Sequence, residues 1–140
     1  IVTEAREKFI HERFPIFGYD NISANIDLSR QNSRRILIHN YVHFKKAELS
    51  DFQPDVPGVI IINPPFGERL GNENELETLY HLIGDVLKKN CHDSDAFVLS
   101  GNMNLTKYIG LKSDNKTPLK NGKIDCRLLH FPIRSGKYAD

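Results

Sequence analysis

Val59-Ile60-Ile61-Ile62-Asn63-Pro64-Pro65-Phe66 is the stretch whose reading decides the fold of this chain. A β-branched run bounded by Gly58 and a proline pair predicts a fully buried strand that ends in a rigid loop. The loop gathers an amide side chain, constrained backbone carbonyls and an aromatic face at one place. Asn63 Oδ1 and the Pro64 carbonyl can both accept hydrogen bonds from an exocyclic amino group, directing its lone pair toward an electrophile, while Phe66 stacks on the ring of the base. Stripped of that chemistry, the same residues are a strand followed by a proline-stiffened turn, a common form of punctuation.

The flanking sequence weighs between these readings. NPPFGERLG (63–71) is followed by a predicted helix from about Glu75 to Lys89 that includes LYHLIGDVLKK (79–89). Together they resemble the THUMP-containing large-subunit rRNA guanine-N2 methyltransferases, RNA methylases whose loop reads NPPY-GERLG. The resemblance continues in LSGNMNL (99–105), IGLK (109–112) and NGKIDCRLLHF (121–131), and upstream in IFGYDNISANIDLSRQN (16–32). It spans residues 16–133. It implies an α/β, Rossmann-like class I methyltransferase fold, with a mostly parallel sheet and a C-terminal antiparallel hairpin. It also implies S-adenosylmethionine as cofactor, a ribosomal RNA substrate and guanine N2 as the methylated group. The same tetrapeptide serves adenine N6 in DNA methylases and guanine N2 in tRNA enzymes, so those targets stay open. A non-catalytic nucleic-acid-binding fragment is the reading from a different class.

The resemblance assigns Asn63, Pro64, Pro65 and Phe66 to catalysis. Phe66 departs from the family's usual Tyr; stacking survives and a hydroxyl is lost. Asp20, at the end of a predicted strand, matches the acid that holds the cofactor ribose, a role carboxylates also play in dinucleotide-binding folds. Its plainer reading is a helix-entry acid. Glu48 matches an acid near the adenine, one methylene longer than the usual Asp, with Asp51 as a nearby competitor; either can be a solvated carboxylate. Asn63 also borders the cofactor. Glu68 and Arg69 are read as ordering the loop or as surface charges. Catalysis of this kind rests on positioning and electrostatic alignment, with no general base required early. His39 and His43 share a strand face without a third ligand, so no metal site is expected.

One motif is missing. No GxGxG or shorter variant follows a strand among the glycines at 18, 58, 67, 71, 84, 101, 110, 122 and 136. In the family that loop, its strand and the THUMP region precede the position matching Asp20. The expectation is therefore the C-terminal part of a methyltransferase domain, without the first strand and its Gly-rich loop, binding the cofactor poorly by itself. The missing strand would lie between the strands ending at Asp20 and Asn63.

Bulk properties agree with one domain over residues 1–140: 39% hydrophobic, 26% charged, and no apolar run approaching the ~20 residues that span a membrane. Cys91 and Cys126 lack metal or redox spacing and read as reduced, partly buried thiols. A cytoplasmic location is expected. The net charge of +1 hides an asymmetry. Residues 1–106 carry 11 Lys and Arg against 15 Asp and Glu, whereas residues 107–140 carry 8 against 3. That basic quarter can track a phosphate backbone or be a solvated surface.

The elements alternate. A helix opens the chain over the first ten residues, and a strand is predicted at 16–20. Next come a helix over 23–38 capped by Asn21 or Ser23, and strands at 41–44 and 59–63. The helix 75–89, a strand at 96–100 and a short helix at 104–109 come next. Strands at 113–119 and 123–132 are joined by Lys120-Asn121-Gly122, a strong hairpin signal.

Overall fold

A computed structural model describes residues 14–66 and 73–136. The expected opening helix and the segment Gly67–Gly71 lie outside the described residues. The chain divides after Glu48 into two compact units.

The first unit is a βαβ element. Strand β1 (Ile16–Asp20) pairs in parallel with β2 (Val42–Lys46), from Ile16 opposite Val42 to Asp20 opposite Lys46. Helix α1 (Ser23–Arg35) makes the crossover and buries Ile26 and Ser33. A Cβ on Gly18 would stand 2.8 Å from the Phe44 ring, so the aromatic side chain lies directly against bare backbone of the neighbouring strand. Arg30 Nη2 donates to the Phe44 carbonyl at 2.9 Å, tying the helix to β2.

Helix α1 stops at Arg35 rather than at the expected Ile38 for a local reason. Leu37 adopts φ 59°, its N–H bonds the Arg34 carbonyl, and the Ile38 N–H bonds the Ser33 carbonyl. This is a Schellman closure, which usually places glycine at the left-handed position. The start also differs: Ile22 occupies the cap without a side-chain bond of its own, so neither Asn21 nor Ser23 is the N-cap.

The second unit is a four-stranded sheet ordered β3-β4-β6-β5, comprising β3 (Val59–Ile62), β4 (Asp95–Ser100), β5 (Asn115–Asn121) and β6 (Ile124–Pro132). β3 and β4 are parallel, while β6 is antiparallel to both β4 and β5. Helix α2 (Glu73–Asn90) covers one face through Leu76, Tyr80, Ile83, Val86 and Leu87, which recur at helical spacing. Leu76, Tyr80, Ile83 and Leu87 pack with Ala96 and Val98 of β4, Leu129 and Phe131 of β6, and Ile133. Gly84 lets α2 touch the short 3-10 turn Leu105–Ile109: a Cβ there would fall 1.8 Å from the Ile109 carbonyl oxygen.

Two further expectations require correction. β3 is not fully buried: Ile60 and Ile62 pack against the core, but Val59 and Ile61 are 70% and 75% exposed. Among the described residues β3 pairs with β4 alone, and only one of its faces is covered. The hairpin turn is also shifted by one residue. Asn121 closes the ladder opposite Ile124, so Gly122-Lys123 forms the two-residue loop. Only Gly122 of that pair has positive φ, at 61°, the pattern of a type II′ turn rather than the Asn-Gly type I′.

No described helix is long and apolar enough to cross a membrane. Both cysteines are free and buried. Burial pushes the Cys91 thiol up to about 11.

Candidate active site: the loop after the third strand

The loop begins where β3 ends. Asn63 is exposed and its side chain makes no hydrogen bond among the described residues, while Pro64 beside it is buried. Alternation along β3 accounts for this local order. Ile62 packs inward and anchors the strand end, the next side chain turns outward, and the two prolines, with φ fixed near −65°, stiffen the backbone leading to Phe66. The amide is thus presented on a firm base, uncommitted to any partner among the described residues.

Phe66 has a specific seat. It is half-buried and packs against the core. A Cβ built on Gly101 would lie 2.7 and 2.8 Å from Phe66 Cε2 and Cδ2, and 2.9 Å from Ile124 Cγ2. No larger residue at 101 would leave both side chains where they are. The φ of Gly101 is outside the left-handed region, so space rather than backbone conformation calls for glycine here.

The turn that carries Gly101 is fixed by a buried polar network. Tyr80 Oη and Ser100 Oγ share a hydrogen bond of 2.9 Å, with both residues fully buried. The Asn102 N–H donates to Ser100 Oγ at 3.2 Å, and Asn102 Oδ1 accepts from the Asn104 and Leu105 N–H groups. Burial raises the Tyr80 pKa against the opposing effect of the Ser100 bond, so the phenol stays protonated. Sequence reasoning missed this support. Its visible trace was the Ser-Gly-Asn run inside LSGNMNL.

Asp20 and Glu48 come together in the first unit, at the carboxyl ends of the parallel strands β1 and β2. Asp20 Oδ1 accepts from the Ile22 N–H at 2.8 Å, and Oδ2 accepts from Asn25 Nδ2 at 3.1 Å. The carboxylate therefore organises the entry to α1, as the plainer reading expected. Each oxygen retains a further lone pair, and Asp20 is only partly covered. Asn21 Nδ2 donates to Glu48 Oε2 at 3.2 Å, drawing Glu48 to the same strand ends. Asp51 has a different neighbour: Ser50 Oγ donates to its carboxylate at 3.4 Å. Asp20 and Glu48 belong to one unit and Asn63–Phe66 to the other. Glu68 and Arg69 fall outside the described residues.

The most strongly engaged carboxylates lie elsewhere. Hydrogen bonds from His130 and Arg134 lower the Asp95 pKa, and bonds from the Ser135 side chain and backbone lower that of Asp93. His130 reaches Asp95 with Nε2 at 2.8 Å and Asp114 with Nδ1 at 2.7 Å. Asp95 opens β4 while Ser100 closes it, and a strand of that length separates its ends by ~17 Å. This cluster ties the starts of β4 and β5 to the end of β6, remote from the Phe66 seat.

Comparison with known proteins fits this geometry. The family model UPF0020, the RMKL-like methyltransferase domain, matches residues 1–130. The chain is 34% identical over 140 residues to ribosomal RNA large subunit methyltransferase K/L of Syntrophotalea carbinolica, covering 96% of this chain and 20% of that protein. Against the K/L enzyme of Allochromatium vinosum it is 40% identical over 119 residues, covering 83% of this chain and 16% of that one. Among solved structures it superposes on SMU.472, determined in complex with SAH, with a TM-score of 0.84 and 28% identity, covering 96% of this chain and 36% of the other. The chain thus spans at most about a third of the length of these relatives.

Proposed function

From the premise that this chain belongs to the RMKL-like methyltransferase family, we propose that it carries the base-holding loop of an S-adenosylmethionine-dependent RNA methyltransferase. Its target is the exocyclic amino group of a base, with guanine N2 of large-subunit rRNA as the leading choice. The observation that carries the reading is the exposed, uncommitted Asn63 amide beside buried Pro64 and a seated Phe66.

The residues suit the cofactor. Asp20 keeps acceptor capacity for the hydroxyls of a ribose, and Glu48 stands at the same strand ends. When bound, S-adenosylmethionine would supply an electrophilic methyl group, with its sulfur keeping the bonding pair and leaving as a neutral thioether. Asn63 Oδ1 and the Pro64 carbonyl accept the two N–H bonds of the base's amino group and hold its nitrogen in position to form the new C–N bond. The Phe66 ring stacks on the base and keeps it out of its own helix. The proton leaves the amino nitrogen during or after transfer, so the loop needs no strong base.

The test is methyl transfer by the complete protein to rRNA stem-loops, comparing guanosine with inosine at the acceptor position. Inosine lacks the N2 amino group, so transfer to guanosine alone is expected, and Asn63→Ala should abolish it. Preferential transfer to adenine in duplex DNA would move the target to adenine N6. Undiminished turnover in Asn63→Ala would defeat the base-holding role.

A further inference from the structure

The register of the sheet leaves the end of the β5–β6 hairpin without a third paired strand among the described residues. β4 ends at Ser100, opposite Arg127, and Arg127 lies opposite Pro118. Residues 119–126 therefore project beyond the carboxyl end of β4. They project beside the Phe66 seat: Ile124 Cγ2 and the Phe66 ring both crowd the point where a Gly101 Cβ would stand. β5 is exposed along its whole length.

The charge on this projection and on Arg127 at its base has one sign in excess. Lys120, Lys123 and Arg127 are exposed, against a single acid, Asp125. Lys120 Nζ reaches Asp125 at 3.7 Å, but those side chains are 77% and 87% exposed, and such a pair holds its partners loosely. Lys123 and Arg127 make no ion pair among the described residues. Lys120 and Arg127 also share a sheet face. Pro118, opposite Arg127, is two residues from Lys120, which sets the two cations diagonally across the ladder. Apart from the loose Lys120–Asp125 pair, these three side chains make no ion pair among the described residues, and none belongs to the core.

We propose that this hairpin tip contacts the RNA backbone, with Lys120, Lys123 and Arg127 holding phosphates of the strand whose base enters the Asn63–Phe66 loop. The proposal rests on the RNA reading above. It gives the loop what it lacks: Asn63 and Phe66 recognise a base but carry no charge, and phosphate contacts fix register on a nucleic acid without reading sequence.

Titrating a labelled rRNA stem-loop into the protein at several salt concentrations tests this. Each phosphate contact on a single strand contributes ~0.7 to the slope of log K against log salt, which is about fivefold in affinity at 0.1 M. Replacing Lys120, Lys123 and Arg127 together by Ala should flatten the slope by about 2 and weaken binding roughly 100-fold, equally for unrelated RNA sequences. Should the triple variant melt early, Lys120→Arg, Lys123→Arg and Arg127→Lys together keep the charge and should keep the slope. An unchanged slope in the Ala variant overturns the contact, as does a wild-type protein that binds no RNA. The two readings fail separately. Transfer lost in Asn63→Ala with an unchanged slope in the triple variant sinks the hairpin contact alone. A flattened slope with transfer intact in Asn63→Ala sinks the base-holding loop alone.

Discussion

Gly101→Ala adds one methyl group to the wall on which Phe66 rests, and its consequence can be worked from the distances. The new Cβ would meet the Phe66 ring at 2.7 and 2.8 Å and Ile124 at 2.9 Å, whereas ordinary contact begins at 3.4 Å. Each neighbour must therefore withdraw by about half an ångström, overpacking of a kind that costs ~1–3 kcal/mol when the neighbours are held. Against that, Ala stiffens the unfolded chain and returns ~0.4–1 kcal/mol, because the backbone here suits any residue. The balance is a net loss of about 1 kcal/mol, limited by the freedom of a half-buried ring to shift. The shift itself falls on function: displacing a positioning group by up to 1 Å can cost ~100-fold in rate, so methyl transfer should fall at least tenfold.

Urea denaturation of four proteins isolates the cause: wild type, Gly101→Ala, Phe66→Ala and the double variant. With the ring gone, only the Ile124 Cγ2 methyl, on a half-exposed residue of the hairpin tip that can shift, opposes the new methyl. Gly101→Ala should then become neutral or slightly stabilising, giving a coupling energy of about 1 kcal/mol or more. Equal destabilisation by Gly101→Ala in both backgrounds would show that Phe66 does not rest on this glycine.

Two further outcomes concern the folded state. Leu37 holds a left-handed conformation that costs an L-residue ~1–2 kcal/mol, yet it is 76% exposed and contributes little burial. Leu37→Gly should therefore raise stability by about 0.5–1 kcal/mol after the added unfolded-state entropy, read as a higher urea midpoint; a lower midpoint would refute the strain argument. Acid should destabilise the sheet through Asp95 and Asp93, whose folded pKa values are lowered, Asp95 by its hydrogen bonds from His130 and Arg134 and Asp93 by those from Ser135. Their contribution is complete above the unfolded carboxylate value near ~3.9 and is lost as pH falls through the lower folded values. Stability should be level in this respect above about pH 5 and decline below about pH 4, with a shallower decline in Asp95→Asn.

The fold was legible where local pattern and tertiary fate agree. The helical spacing of Leu76, Tyr80, Ile83 and Leu87 marked α2, and the β-branched run marked β3, because each signal reports the backbone period directly. The exposure of Val59 and Ile61 was not legible, since an apolar run states that both faces can be buried but not which neighbours cover them. The turn sits at Gly122-Lys123, one residue beyond the expected dipeptide, because Asn-Gly and Gly-Lys overlap at the same glycine and cross-strand pairing chose the register. Leu37 gave no warning at all: leucine favours helix, and the Schellman closure overrode it. At the site, the chemistry-bearing residues could be named from the loop and its resemblance. Gly101, Ile124 and the Tyr80–Ser100 bond could not, because what they supply is space and support, and these exist only once α2, β4 and the hairpin are packed.

The two borders of the four-stranded sheet carry opposite instructions for self-association. β5 bears Pro118, which cannot donate to a further strand, and Lys116 and Lys120, whose charges repel a second copy. β3 has none of these safeguards: four β-branched, uncharged residues pair with β4 alone among the described residues. Such a segment templates sheet growth unless something covers it. Any clumping of this polypeptide should therefore begin at Val59–Ile62, and a lysine at the outward Ile61 position is the change that would turn it away.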